Sequence, residues 1–180
     1  MSVSIGVWSV LAVLVLGGIA AWVARMLVLQ GKLLPSLRTL VATLARPSDY
    51  FATLQRSNFD LSCNGFRAVM KVRHKYAGKH MIEISVSQPV PNGVVSYEAG
   101  FALLLEFLVD GRTTVSRRLQ GVQPWWSHSE KGFTLGTYTV PDEAPVGKDI
   151  ELVVTVEKAD PEFERRYAPI TLLTRKASEK

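Results

Sequence analysis

The chain has 180 residues, with 21 basic against 16 acidic groups, a net charge of +5, 47% hydrophobic residues and a single cysteine. That length holds one domain with its own core, and one cysteine excludes an intrachain disulfide. Arg25, Lys32, Arg38 and Arg46 precede Pro47 with no acid among them, which leaves 17 basic against 16 acidic groups in the rest; the body of the chain is therefore nearly neutral and lacks the charge of a nucleic-acid binder.

The first element opens at Ile5 and closes at Ala24, twenty residues with no charge and Ser9 as the one polar side chain. As a helix, about 20 residues span the roughly 30 Å hydrocarbon core of a bilayer. Trp8 and Trp22 sit near its ends, where indoles favour the headgroup level, and Arg25 closes it. A cleaved signal peptide fits less well, because MSVS carries no Lys or Arg and Met26–Leu29 prolongs the apolar run. The reading is a single-pass anchor in an inner (plasma) membrane, with the bilayer as its partner. Arg25, Lys32 and Arg38 lie within about 15 residues of the anchor's C-terminal side, so the positive-inside rule puts the following domain in the cytoplasm. A periplasmic domain is the alternative.

After Pro35, Leu37, Leu40, Val41, Leu44 and Ala45 recur at helical spacing, with Arg38 and Arg46 on the rest of the circumference. Pro47 ends this amphipathic helix. It can lie in the headgroup plane with its arginines on anionic lipid, or pack on the domain that follows. Residues 48–55 are read as a further helical turn or two, with Ser48 as N-cap. Residues 1–30 are thus the anchor, 31–56 the juxtamembrane linker and 57–180 a separate domain.

From Asn58 the period changes to two. Phe59, Leu61 and Cys63 alternate, then Phe66, Ala68, Met70 and Val72, then Ile82, Ile84 and Val86. The lone Cys63 reads as a small core residue. Residues 101–109 are apolar on both faces except Glu106, as in a central strand. Glu106 is either buried with a raised pKa or meets solvent or an arginine, Arg117 or Arg118, across a hairpin. Asp110-Gly111 is the turn of that hairpin, and residues 112–119 return from it. Residues 120–131 read as a loop; 133–140, 150–156 and 170–174 supply further strands. Eight or nine short strands without long helices predict an all-β fold, an antiparallel β-sandwich of Ig-like or jelly-roll type, behind the transmembrane and amphipathic helices.

No motif names a reaction. GxSxG, HExxH and phosphate-cradling glycine loops are absent, and His74, His80 and His128 show no compact ligand spacing, so neither metal nor cofactor is expected. Two surface features stand out. Residues 67–80 carry Arg67, Lys71, Arg73, Lys75 and Lys79 with no acid, +5 on one expected hairpin, while residues 142–164 carry eight acids and two lysines. With Arg38 and Arg46, the basic set suits anionic lipid or an acidic partner, unless the basic and acidic stretches neutralise each other across adjacent strands. The second feature is Trp125-Trp126-Ser127-His128, where Trp125, Trp126 and His128 are candidate partner contacts, since Trp is enriched at binding hot spots.

The run GFTLGTYTVP from Gly132, followed by PVGKDIEL from Pro145, resembles the closing strands of small membrane-tethered β-sandwich proteins of proteobacteria, some akin to immunity proteins of type VI secretion effectors. The resemblance covers the last third of the chain. It implies a protein-binding role, with exposed loops blocking a toxin, and a periplasmic domain. Three functions follow in order: a non-catalytic protein-binding module with one protein partner, in immunity or envelope assembly; a membrane-surface scaffold holding anionic lipid through the basic hairpin; and an enzyme with an unrecognised cleft.

Overall fold

The computed structural model describes residues 3–29, 48–90, 97–126, 130–140 and 142–177. It divides into two units, Met1–Ser48 and Asp49–Lys180. The first holds α1 (Val3–Leu29), a 27-residue helix. Its segment Val10–Leu27 is long and apolar enough to cross a membrane. Val10, Val13, Leu14, Leu16, Ile19 and Trp22 are all exposed among the described residues. The amphipathic stretch 36–46, with Arg38 and Arg46, lies outside the described residues.

The second unit is mostly antiparallel β. Its strands are β1 (Thr53–Phe59), β2 (Arg67–Arg73), β3 (Gly78–Val86), β4 (Tyr97–Val109), β5 (Arg112–Trp126), β6 (Lys131–Val140), β7 (Asp149–Lys158) and β8 (Ile170–Lys176), with α2 (Pro161–Tyr167) between the last two. They form one eight-stranded sheet in the order β1-β8-β3-β6-β5-β4-β7-β2, every hydrogen-bonded neighbour antiparallel. The edge strands β1 and β2 lie side by side. Their seam is pinned at one end by the Phe59 and Phe66 rings, 5.7 Å apart, and at the other by Asp49 with Lys75. The sheet is therefore barrel-like rather than clearly the sandwich expected.

The cause is β5. Residues 112–120 pair with β4, Val122 still stands opposite Tyr97 of β4 past a break in register, and residues 123–126 pair with β6. Between them Gly121 takes a φ of 76°, which lets the strand turn a corner without leaving the sheet. The two halves stay continuous, and the expected loop 120–131 is strand as far as Trp126. Two further expectations change. Residues 48–51 form a turn, and β1 follows where helical turns were expected. Residues 67–80 are not a hairpin, because β2 pairs with β7 while β3 pairs with β6 and β8.

Strict alternation fills the barrel. On β2, Ala68, Met70 and Val72 are inside, and Arg67, Val69, Lys71 and Arg73 are outside. On β4, Phe101, Leu103, Leu105 and Phe107 are buried, while Glu106 stands half-buried outside, opposite Ser116 and Val153. Asp110 and Gly111, with φ of 51° and 74°, make the β4–β5 turn. Cys63 is exposed on the β1–β2 connection rather than in the core.

α2 plugs one end of the barrel. Phe163 packs 5.1 Å from Phe101 and 5.2 Å from Phe133, and Tyr167 lies 5.2 Å from Phe133. Asp160 caps the helix by accepting from Phe163 N at 3.0 Å, and its other oxygen accepts from Gly100 N at 2.9 Å. Pro161 at the first turn fits the same start.

One glycine has no room for a side chain. A Cβ on Gly132 would lie 1.8 Å from the Ile84 carbonyl oxygen, a backbone atom that cannot swing aside. Gly132→Ala should therefore lower the unfolding free energy by about 2–3 kcal/mol, read as an earlier urea midpoint of the full chain in detergent micelles.

Candidate functional site

The opposite end of the barrel is closed by polar side chains. His74 follows β2, His80 lies on β3, Tyr138 on β6, and Thr174 and Lys176 on β8; all are buried. Register brings them together, since His80 stands opposite both Tyr138 and Lys176. The Tyr138 hydroxyl lies 2.8 Å from His74 Nε2 and 2.8 Å from Thr174 Oγ1, and Thr174 Oγ1 donates to the Met81 carbonyl at 3.0 Å. One proton assignment satisfies the chain: His74 Nε2–H donates to Tyr138, Tyr138 donates to Thr174, and Thr174 donates to Met81. His74 Nδ1 is then a bare acceptor, buried and without a partner among the described residues. His80 Nδ1–H donates to the Gly78 carbonyl at 3.0 Å.

The two imidazoles meet edge to face, 4.8 Å between centroids, and His80 stacks on Tyr138 at 5.5 Å. Burial pushes the His74 pKa down to about 3, helped by His80. Burial pushes His80 down to about 4, with Lys176 adding to the fall and the Gly78 carbonyl opposing it. Both rings are neutral at pH 7. Burial raises the Tyr138 pKa, so it stays a phenol. The neutral rings join Tyr138 and Thr174 in a buried polar relay that fixes these side chains against one another.

A second constellation covers the outer face. Glu83 is 1% exposed although it points away from the barrel interior. Arg175 Nε lies 2.6 Å from Glu83 Oε2, and Thr134 Oγ1 donates to Oε1 at 3.3 Å. The Arg175 guanidinium in turn lies 4.5 Å from the Trp125 ring centroid. Burial raises the Glu83 pKa against the opposing pull of Arg175.

Of the residues singled out in the sequence, Trp125 is half-buried in this stack. The Trp126 side chain and all of His128 lie outside the described residues. Arg67, Lys71 and Arg73 are exposed on β2, and Lys79 is exposed on β3, so the structure does not join them in a hairpin. Lys71 stands across the ladder from Glu151, Arg73 from Asp149, and Lys75 bonds Asp49 at 2.9 Å. The basic and acidic stretches thus face each other on adjacent strands. Sequence reading did not find the His74–His80–Tyr138 relay, because His74 and His80 lie on strands whose neighbours only the sheet order reveals. Among the described residues, no group of three or more His, Cys, Asp and Glu side chains is placed to hold a metal ion. No protein-family model, curated protein or solved structure matches the chain.

Tyr138→Phe keeps the ring against Phe107, 4.9 Å away, but strands His74 Nε2 in the barrel. Loss of about 1–3 kcal/mol is expected from the unpaired buried donor, measured by urea unfolding of the full chain in micelles.

Proposed function

We propose that the chain is a membrane-anchored, non-catalytic protein-binding module with one protein partner. The observation that carries this reading is the filled barrel. Ile82, Ile84, Leu103, Leu105, Phe107, Leu152, Val154 and Val156 occupy its interior at 0% exposure, so the domain works through its surface rather than by enclosing a ligand. That surface offers Val69, 47% exposed in mid-strand on the edge strand β2, between Arg67 and Lys71. Trp126 and His128, which follow the stacked Trp125 in the sequence, are the other candidate contacts of this proposal. The Ig-like or jelly-roll sandwich and the immunity or envelope-assembly role belong to the same proposal, through the resemblance of the closing strands.

The lipid-scaffold alternative draws less support. Lys71 and Arg73 meet acids across the ladder and Lys75 is paired with Asp49, so the set Arg67, Lys71, Arg73, Lys75 and Lys79 does not act as one free cationic patch. The anchor would cross the inner membrane once, with the domain cytoplasmic according to Arg25, Lys32 and Arg38.

Two experiments test these readings. A photo-crosslinking amino acid at Val69 or at Trp126 should give one discrete adduct band in membranes; no adduct at either position removes the module reading. Cys63 is exposed and is the chain's only cysteine. With a cytoplasmic domain, a membrane-impermeant maleimide should label it only after spheroplasts are lysed. Labelling of intact spheroplasts would put the domain outside.

A further inference from the structure

The polar end of the barrel is closed from outside by a strap. The turn at 48–51 places Tyr50, which is buried, 5.1 Å from the Tyr76 ring, and Lys176 Nζ sits 5.1 Å from the Tyr50 ring centroid. Asp49 holds the strap down, accepting from the Tyr76 hydroxyl and from Lys75 Nζ. The groups that hold the strap adjoin the histidine pair: Lys176 stands opposite His80 on the ladder, and Lys75 and Tyr76 follow His74 in the chain. We propose that this end is an acid-operated latch, in which proton uptake by His74 and His80 releases the strap while the rest of the barrel stays folded.

The described charges that face the pair disfavour a proton on either ring. From β8, Lys176 stands over the same end, with its ammonium 3.4 Å from the Lys79 carbonyl. From β6, Tyr138 offers only a neutral hydroxyl. Among the described residues, the acids Glu143 and Asp49 are committed elsewhere. Glu143 lies 3.2 Å from Arg117 Nη1 and accepts from Thr139 N at 2.6 Å, and Asp49 is bound to Tyr76 and Lys75. A proton on either imidazole therefore adds a cation beside Lys176 and 4.8 Å from the other ring, in a buried site without a carboxylate partner for it among the described residues.

The sign follows from linkage. In the closed form the histidines titrate near 3 and 4, and in an opened form near the ordinary 6.5. A depressed histidine supports the closed form fully above pH 6.5 and loses that support as pH falls toward its closed-state value. Each histidine shifts the opening equilibrium about tenfold per pH unit in that window, and the pair about a hundredfold. The strap yields first because β1 has a ladder partner on one side only, β8, while the far end is held by the apolar plug of α2.

The test is hydrogen exchange on the full chain in nanodiscs from pH 7.5 to 4.5, corrected for intrinsic exchange. Peptides covering 48–53 and 74–80 should lose protection steeply below pH 6.5, while peptides from β4 and β7 keep theirs. Retained strap protection at pH 4.5 overturns the latch, and so does loss shared equally by β4 and β7. His80→Gln should cut the pH slope of strap opening from about a hundredfold to about tenfold per unit; an unchanged slope overturns it. If that variant does not fold, Tyr50→Ala decides instead: it should expose 74–80 at pH 7.5 with β4 and β7 unaffected, and full protection of 74–80 there refutes the strap.

Discussion

An eight-stranded sheet curved into a barrel-like form has an interior that its own alternation must fill. Every second residue of every strand points inward, and the two ends must be stoppered as well. In this chain the middle layers are aliphatic and aromatic, from Ile82 and Leu105 to Phe107 and Val154. The ends are solved differently. At one, α2 lays Phe163 and Tyr167 over Phe133. At the other, the stoppers are His74, His80, Tyr138 and Lys176, and polar groups are tolerated there because register supplies them with partners. The apolar stopper works over any pH; the histidine stopper works only while its rings are neutral.

Alternation was the legible part of this fold. The strands around Ala68–Val72, Ile82–Val86 and Phe101–Val109 are read directly from period two, and the Asp110-Gly111 turn from its residue types. What stayed hidden was pairing. Gly121 and Pro124 look like loop punctuation, yet Gly121 bends a strand that goes on pairing and Pro124 sits on a ladder opposite Phe133. Ala77-Gly78 looks like a hairpin turn, yet the chain crosses from β2 to β3 without pairing them. α2 escaped because seven residues carry too little periodicity, although Asp160 before Pro161 is a readable start signal. The relay is the sharpest case: its members are spread from residue 74 to 176, and only the sheet order makes them neighbours.

Charge followed the same logic. The sequence separates a basic run from an acidic one, and the fold puts them on adjacent strands, with Lys71 opposite Glu151 and Arg73 opposite Asp149. Cross-strand pairs of this kind contribute roughly 0.2–1 kcal/mol each, so their first effect is on register: a slip by one residue would turn the outward charges of β2 into the barrel. A stretch that reads as a binding patch in one dimension is, in part, an alignment device in three.

The outer face of the barrel sets the terms on which a partner can be bound. Glu83 is buried there, and its charge is tolerable because Arg175 reaches it and Trp125 covers Arg175 in turn. Removing either cover would leave a carboxylate in a dry site, at a cost of several kcal/mol. Trp125 is thus already spent on the fold, and hot-spot contact from that loop falls to its neighbours beyond the stack. On the other half of the sheet no described residue covers Val69, which stands exposed between two cations on an edge strand. The contrast separates the two candidate surfaces by physics: one is a rigid platform whose aromatic side chain is fixed in place, and the other is an uncovered apolar residue whose burial by a partner would still be gain.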